Sequence, residues 1–161
     1  MALVHFDAHT DTYSQGSRYD HGTMFYHAPK EGLISAEHSI QIGIRTDYEK
    51  DGHPFEVVNG VDANQLSADE IVEKIKARVG NLPVYTSFDI DCLDPAFAPG
   101  VSHHEPGGMS VRDALHIIHS IDVPVIGADV VELNPQRDLN GVTGMVAAKL
   151  VREIAGMMLK N

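Results

Sequence analysis

Three short stretches of the chain concentrate carboxylates and imidazoles: Asp7-Ala8-His9-Thr10-Asp11, Asp89-Ile90-Asp91 and Asp129-Val130-Val131-Glu132. Asp7, His9 and Asp11 lie two apart, as do Asp89 and Asp91, so extended backbone would turn each set toward one side. Carboxylates crowded in this way repel, and one takes up a proton unless a cation neutralises them. Mixed carboxylate and imidazole donors suit Mn²⁺, Fe²⁺, Co²⁺ or Zn²⁺, and the lack of thiolate donors argues against a structural zinc site. Taken singly, each acid reads better as a helix cap or turn former. Taken jointly, D-x-H-x-D with D-x-D, both at the ends of apolar runs, points to a divalent-metal centre.

The elements that must position these groups are short β-branched runs alternating with helical patterns. The runs are Ala2–Phe6, Ser39–Ile44, Phe55–Val58, Val84–Phe88 and Val123–Val131. Ser67 and Glu70 form an S-x-x-E capping box, Ile71, Val72, Ile75 and Val79 mark one helical face, and Gly80 stands where that helix would end. Ser110 to about Ser120 and Thr143 to Leu159 read as two further helices, and Thr10 to Glu37 as a long loop with little periodicity. Strands alternating with helices imply βαβ crossovers and a mostly parallel sheet. In such a sheet ligands bind outside the carboxyl ends of the strands, where all three acidic stretches fall.

Composition narrows the partners. The 161 residues suit one domain, and 12 Lys and Arg against 23 Asp and Glu give a net charge of −11. That balance disfavours nucleic acid or an anionic membrane and suits a cationic substrate or bound metal, although surplus acid is also an ordinary solubilising surface. Cys92 is the single cysteine, so no intrachain disulfide is possible. No signal-peptide pattern opens the chain and no apolar run is long enough to span a bilayer, so a cytoplasmic location is expected.

Phe6–Asp11 (FDAHTD), Ser87–Gly100 (SFDIDCLDPAFAPG) and Asp129–Pro135 (DVVELNP) resemble signature blocks of the arginase/agmatinase/formiminoglutamase superfamily. The resemblance implies a three-layer α/β/α sandwich with a mostly parallel sheet, two Mn²⁺ ions that activate water, and hydrolysis of a guanidino compound to urea and an amine. It places Asp7, His9, Asp11, Asp89 and Asp91 as metal ligands, Asp11 among the catalytic residues, Glu132 as the guanidinium grip and His21 as proton carrier. On its own, His21 reads equally well as a loop hydrogen-bonding residue. The family's remaining ligand is a His in a G-G-D-H block on the strand preceding FDAHTD, and the chain opens at the FDAHTD strand. The fold expected is therefore the arginase-like sandwich without its N-terminal strands, and loss of one ligand leaves a non-catalytic metal-binding fragment as an alternative to an enzyme.

The loop DTYSQGSRYDHGTMFYHAPKEGLI resembles bacterial agmatinases, and Tyr13 stands where arginases carry an Asn that holds the substrate carboxylate. Agmatine is the substrate this implies, with arginine second. The stretch Gly100–Gly108 (GVSHHEPGG) departs from the G-T-G-T-P of most relatives and looks like the plant branch. By resemblance, His103, His104 and Glu105 form a pocket wall rather than another metal site. The retained strands would be contiguous, with FDAHTD central and Val123–Val131 at an open edge. A homo-oligomer is expected from that edge and from the family.

Overall fold

Strand register decides where the chemistry collects. The computed structural model describes residues 1–159. Strands β1 (Ala2–Phe6), β2 (Ile40–Ile44), β3 (Glu56–Asn59), β4 (Val84–Asp89) and β5 (Val125–Val131) form one sheet in the order β3-β2-β1-β4-β5, with every pairing parallel. Phe6 pairs with Phe88, and Asp89 pairs with Val131. Asp7, Asp89 and Glu132 therefore leave three adjacent strands at nearly one level. The Phe6 and Phe88 rings stack at 5.0 Å directly beneath them.

The helices are α1 (Met24–Lys30), α2 (Gly60–Gln65), α3 (Ala68–Val79), α4 (Val111–Ser120) and α5 (Val142–Met158). Alternation along β1 separates two cores: Ala2, Val4 and Phe6 pack with α3, α4 and α5, while Leu3 packs on the opposite face with Phe25 and Phe55. Each fully buried Leu, Ile or Phe contributes about 1.5–3 kcal/mol, so the first face dominates the stability. The other layer is thinner, made of α1 and its flanking loops. This is the expected arginase-like arrangement of helices against a parallel sheet.

The capping box at α3 is present, with Glu70 Oε2 accepting from the Ser67 backbone N–H at 2.8 Å and Ser67 Oγ from the Glu70 N–H at 3.3 Å. Helix α4 starts on Ser110, whose hydroxyl accepts from Asp113 N–H. Two of the α-helices were not expected. Helix α1 lies inside the stretch read as aperiodic, because it buries only Phe25 and so displays no period. Helix α2 is a single short segment capped by Asn59. Strand β5 begins two residues late because Pro124 cannot donate to a ladder, although its carbonyl still accepts from Val84 N–H at 2.8 Å. The strand is at an edge, as the resemblance implies, but helix α5 packs across it; Val123 and Val125 are buried and only Ile126 is largely exposed, at 57 %. No helix among the described residues is long and apolar enough to cross a membrane.

Candidate metal centre

The acids converge through bends rather than extended alternation, which corrects the spacing argument. Strand β1 stops at Phe6, and Asp7–Asp11 form a bent loop in which Asp11 adopts φ 53, a left-handed conformation that Asp tolerates better than most residues. Asp89 is the last residue of β4 and Asp91 lies on the 3₁₀ turn Ile90–Cys92. Asp89 Oδ1 accepts from Asp91 N–H at 2.8 Å, folding the chain back so that Asp91 Oδ1 accepts from Ala8 N–H at 3.1 Å. A close approach permits this packing: a Cβ on Gly43, at φ 98, would lie 2.8 Å from Cys92 Sγ and 3.0 Å from the Asp7 carbonyl oxygen.

His9 Nδ1 lies 3.2 Å from both Asp7 Oδ1 and Asp91 Oδ2. One ligand atom from each of Asp7, His9 and Asp91 falls within 4.8 Å of the others, and the same holds for His5, Asp7 and Asp11. Asp89 stands outside both groups and lines the same cleft. That cleft, of about 330 Å³, is also lined by Tyr13, Asp20, His21, His103 and Glu132. His21 Nδ1 is 3.8 Å from Glu132 Oε1, and its ring stacks on His103 at 5.9 Å. Glu132, just past β5, is held at φ 62. Asp129 does not join them, because its carboxylate accepts from the Tyr85 and Ser87 hydroxyls at 2.9 and 2.8 Å. His104 accepts no role in the cleft; its Nε2 lies 2.7 Å from the Pro99 carbonyl.

The electrostatics fit a cation. Burial pushes the Asp11 carboxyl up to about 8, with Asp7 adding to the effect, and pushes Asp89 up to about 10, with Asp7 and Asp91 adding to it. Burial also works to raise Asp7, but His5 and the hydrogen bonds from His5 and His9 overcome it and hold that carboxyl low. Hydrogen bonds to Asp7 and then Asp91 push His9 up to about 11. Protons on Asp11, Asp89 and His9 thus do the neutralising that a divalent ion would otherwise do. Asp7 Oδ2 is fully buried, with His5 Nε2 at 2.8 Å as its close contact. A buried carboxylate oxygen in that condition, among oxygen and imidazole donors, fits a first-row divalent metal. Cys92 offers no thiolate: burial raises its pKa, and its Sγ faces the Ile42 carbonyl.

Three supporting residues carry no motif. Arg45 donates to the Asp91 carbonyl at 2.6 Å and, through Nε, to the Glu105 carbonyl at 2.9 Å, tying the ligand turn to the His103–Glu105 loop. His5 and Gln41 are buried behind Asp7. Gln41 interrupts an otherwise apolar strand, and a buried amide in such a run is the one signal that was available.

Fold and site together define a member of the arginase family, whose model matches residues 1–156; the chain belongs to that family. An agmatinase of Serratia proteamaculans is 52 % identical over 155 residues, covering 96 % of this chain and 50 % of that protein. A hypothetical agmatinase from Burkholderia thailandensis superposes with a TM-score of 0.92 at 42 % identity, covering 98 % of this chain and 50 % of the other. An arginase from Medicago truncatula superposes with a TM-score of 0.81 at 38 % identity, covering 98 % and 51 %. The chain spans about half the length of the curated relatives it matches.

Proposed function

We propose that this chain supplies metal-binding residues of a ureohydrolase site that cleaves agmatine to putrescine and urea, with two Mn²⁺ as the cofactor. The observation that carries the reading is the lining of the cleft. Asp11, Asp20, Asp89, Asp91 and Glu132 face it, and among the described residues no Lys or Arg lines it. Such a wall favours a cation and leaves the carboxylate of an amino acid without a fixed positive partner. Two agmatinases among the similar proteins support the same choice.

Asp7, His9, Asp11, Asp89 and Asp91 would hold the metal. When bound, a divalent pair supplies the positive charge that lowers the pKa of water and stabilises developing negative charge. Glu132 accepts N–H groups of the guanidinium and orients its carbon toward the ligand cluster. His21, at the mouth of the cleft and 3.8 Å from Glu132, delivers a proton to the departing amine nitrogen. Tyr13 narrows the mouth beside them. A second reading, arginine, draws support from His103, whose ring on the cleft wall offers an N–H to a carboxylate.

Urea release in the presence of Mn²⁺, with agmatine and arginine compared side by side, separates the two. The expected result is a kcat/KM for agmatine greater by roughly a hundredfold. A higher value for arginine reverses the assignment, and release of no urea from either by metal-loaded protein favours the non-catalytic metal-binding alternative.

A further inference from the structure

Behind the ligand cluster, a buried polar chain runs from Asp7 to a second cleft on the thinner side of the sheet. Gln41 is fully buried on β2 and His5 is 1 % exposed on β1. The Gln41 amide nitrogen lies 2.7 Å from the Thr10 carbonyl and 3.0 Å from His5 Nδ1, and its oxygen lies 2.9 Å from His53 Nε2. His53 lines the second cleft with Tyr26, Lys30 and Glu49. One group fixes the proton positions of the whole chain. A carbonyl can only accept, so the Gln41 NH₂ must face Thr10, and its other hydrogen must go to His5 Nδ1. His5 then carries its proton on Nε2, 2.8 Å from Asp7 Oδ2. The Gln41 oxygen, turned outward, requires a proton on His53 Nε2. Every hydrogen-bonding atom of the Gln41 amide is thereby used.

We propose that Gln41 is a positioning residue for the metal centre, holding Asp7 through His5 and the Asp7–Asp11 loop through the Thr10 carbonyl, with His53 fixing the amide from outside. The proposal rests on the metal-site reading above. Outer partners of metal ligands act by locking ligand orientation, and their loss typically weakens metal affinity by about 10- to 100-fold. Gln41→Met keeps the length of the side chain and removes both donors. His53→Ala, at the half-buried outer end, removes the donor to the Gln41 oxygen and the edge contact of His53 with Phe55, and leaves the amide held by Thr10 and His5 alone.

The test is calorimetric Mn²⁺ titration of the 161-residue chain, of both variants and of Asp91→Asn, with circular dichroism to follow the fold and electron paramagnetic resonance of bound Mn²⁺ to follow ligand geometry. The expected result is about 10- to 100-fold weaker binding in Gln41→Met with an altered Mn²⁺ spectrum, and a smaller loss in His53→Ala. Should Gln41→Met fail to fold, His53→Ala decides alone. Unchanged affinity and spectrum in the folded variants, with binding lost in Asp91→Asn, overturns the positioning role and leaves the metal site standing. No binding by the unaltered chain overturns both. Nitrogen-15 histidine spectra of the metal-free chain give an independent check: a proton on His5 Nδ1 contradicts the hydrogen-bond directions.

Discussion

Among the described residues, Asp11 and Glu132 are two of the three non-glycine residues held at positive φ, at 53° and 62°, and both face the cleft. Left-handed backbone at such residues costs about 1–3 kcal/mol each and persists where the surroundings enforce it. At Glu132 the surroundings are the end of β5, and the result is a carboxylate turned toward His21 rather than continued along the strand. Replacing Glu132 by Gln keeps the shape and removes the charge that grips a guanidinium. In active protein, kcat/KM for agmatine should fall by roughly a hundredfold or more while Mn²⁺ affinity stays within a few-fold. Steady-state kinetics beside metal titration checks this, and an equal fall in metal affinity would make Glu132 a ligand instead. The types of Asp7, His9, Asp11, Asp89 and Asp91, placed at the ends of apolar runs, were readable in the chain as a candidate cluster, whereas the bends that bring them together were not. His5 and Arg45 were not, and Gln41 only as an amide interrupting an apolar run, since each takes its partners from sheet pairing, such as the Asp91 carbonyl beside Arg45.

At the scale of elements, the loops after β4 are held by Asp94, whose carboxylate accepts from the N–H groups of Ala96, Gly107 and Gly108 at 2.9, 2.7 and 3.2 Å. The Ala96 bond, followed by those from Gly107 and Gly108, keeps its carboxyl below the ordinary value against the opposing effect of burial. A folded pKa below the unfolded one means that this stabilisation is full above about pH 4 and is lost as pH falls through the lower folded value. Asp94→Asn should therefore lower Tm near neutral pH, with the difference from the unaltered chain shrinking in more acidic buffer; a difference independent of pH would contradict the charge-assisted bonds. Gly43 is the other tight point, where β2 bulges between Ile42 and Ile44 and passes close to Asp7. Gly43→Ala should cost about 1–3 kcal/mol, and each kcal/mol lowers Tm by roughly 2–4 °C in a domain of this size. Unchanged stability would mean that Cys92 yields without cost. The α3 capping box was legible because it is a local code. The bulge at Gly43 was not, because it answers to a neighbouring strand.

For the whole molecule, β5 closes one side of the sheet with no strand beyond it among the described residues, and Ile126 projects from it 57 % exposed. Its seven residues contain no proline, so the open row of backbone groups is a template for a second copy. The 161-residue chain should self-associate at high micromolar concentration, and Ile126→Lys should shift it toward monomer by size-exclusion chromatography with light scattering. A clean monomer before substitution would show that α5 shields the edge well enough alone. Strand order was legible through family resemblance, whereas the cover that α5 provides depended on packing that no motif records. The proposed metal binding also belongs to the whole molecule, since Asp7 and Asp91 meet only when β1 and β4 pair, and an ion bound to the folded state alone would stabilise it by about 2.7 kcal/mol at a hundred times its Kd. Calorimetric titration with Mn²⁺, run beside the double substitution Asp89→Asn with Asp91→Asn, therefore asks whether these carboxylates hold a divalent ion. Saturable binding and a raised Tm are expected in the unaltered chain, with the loss of both in the substituted one. Equal binding by the two, or none by either, would contradict that expectation.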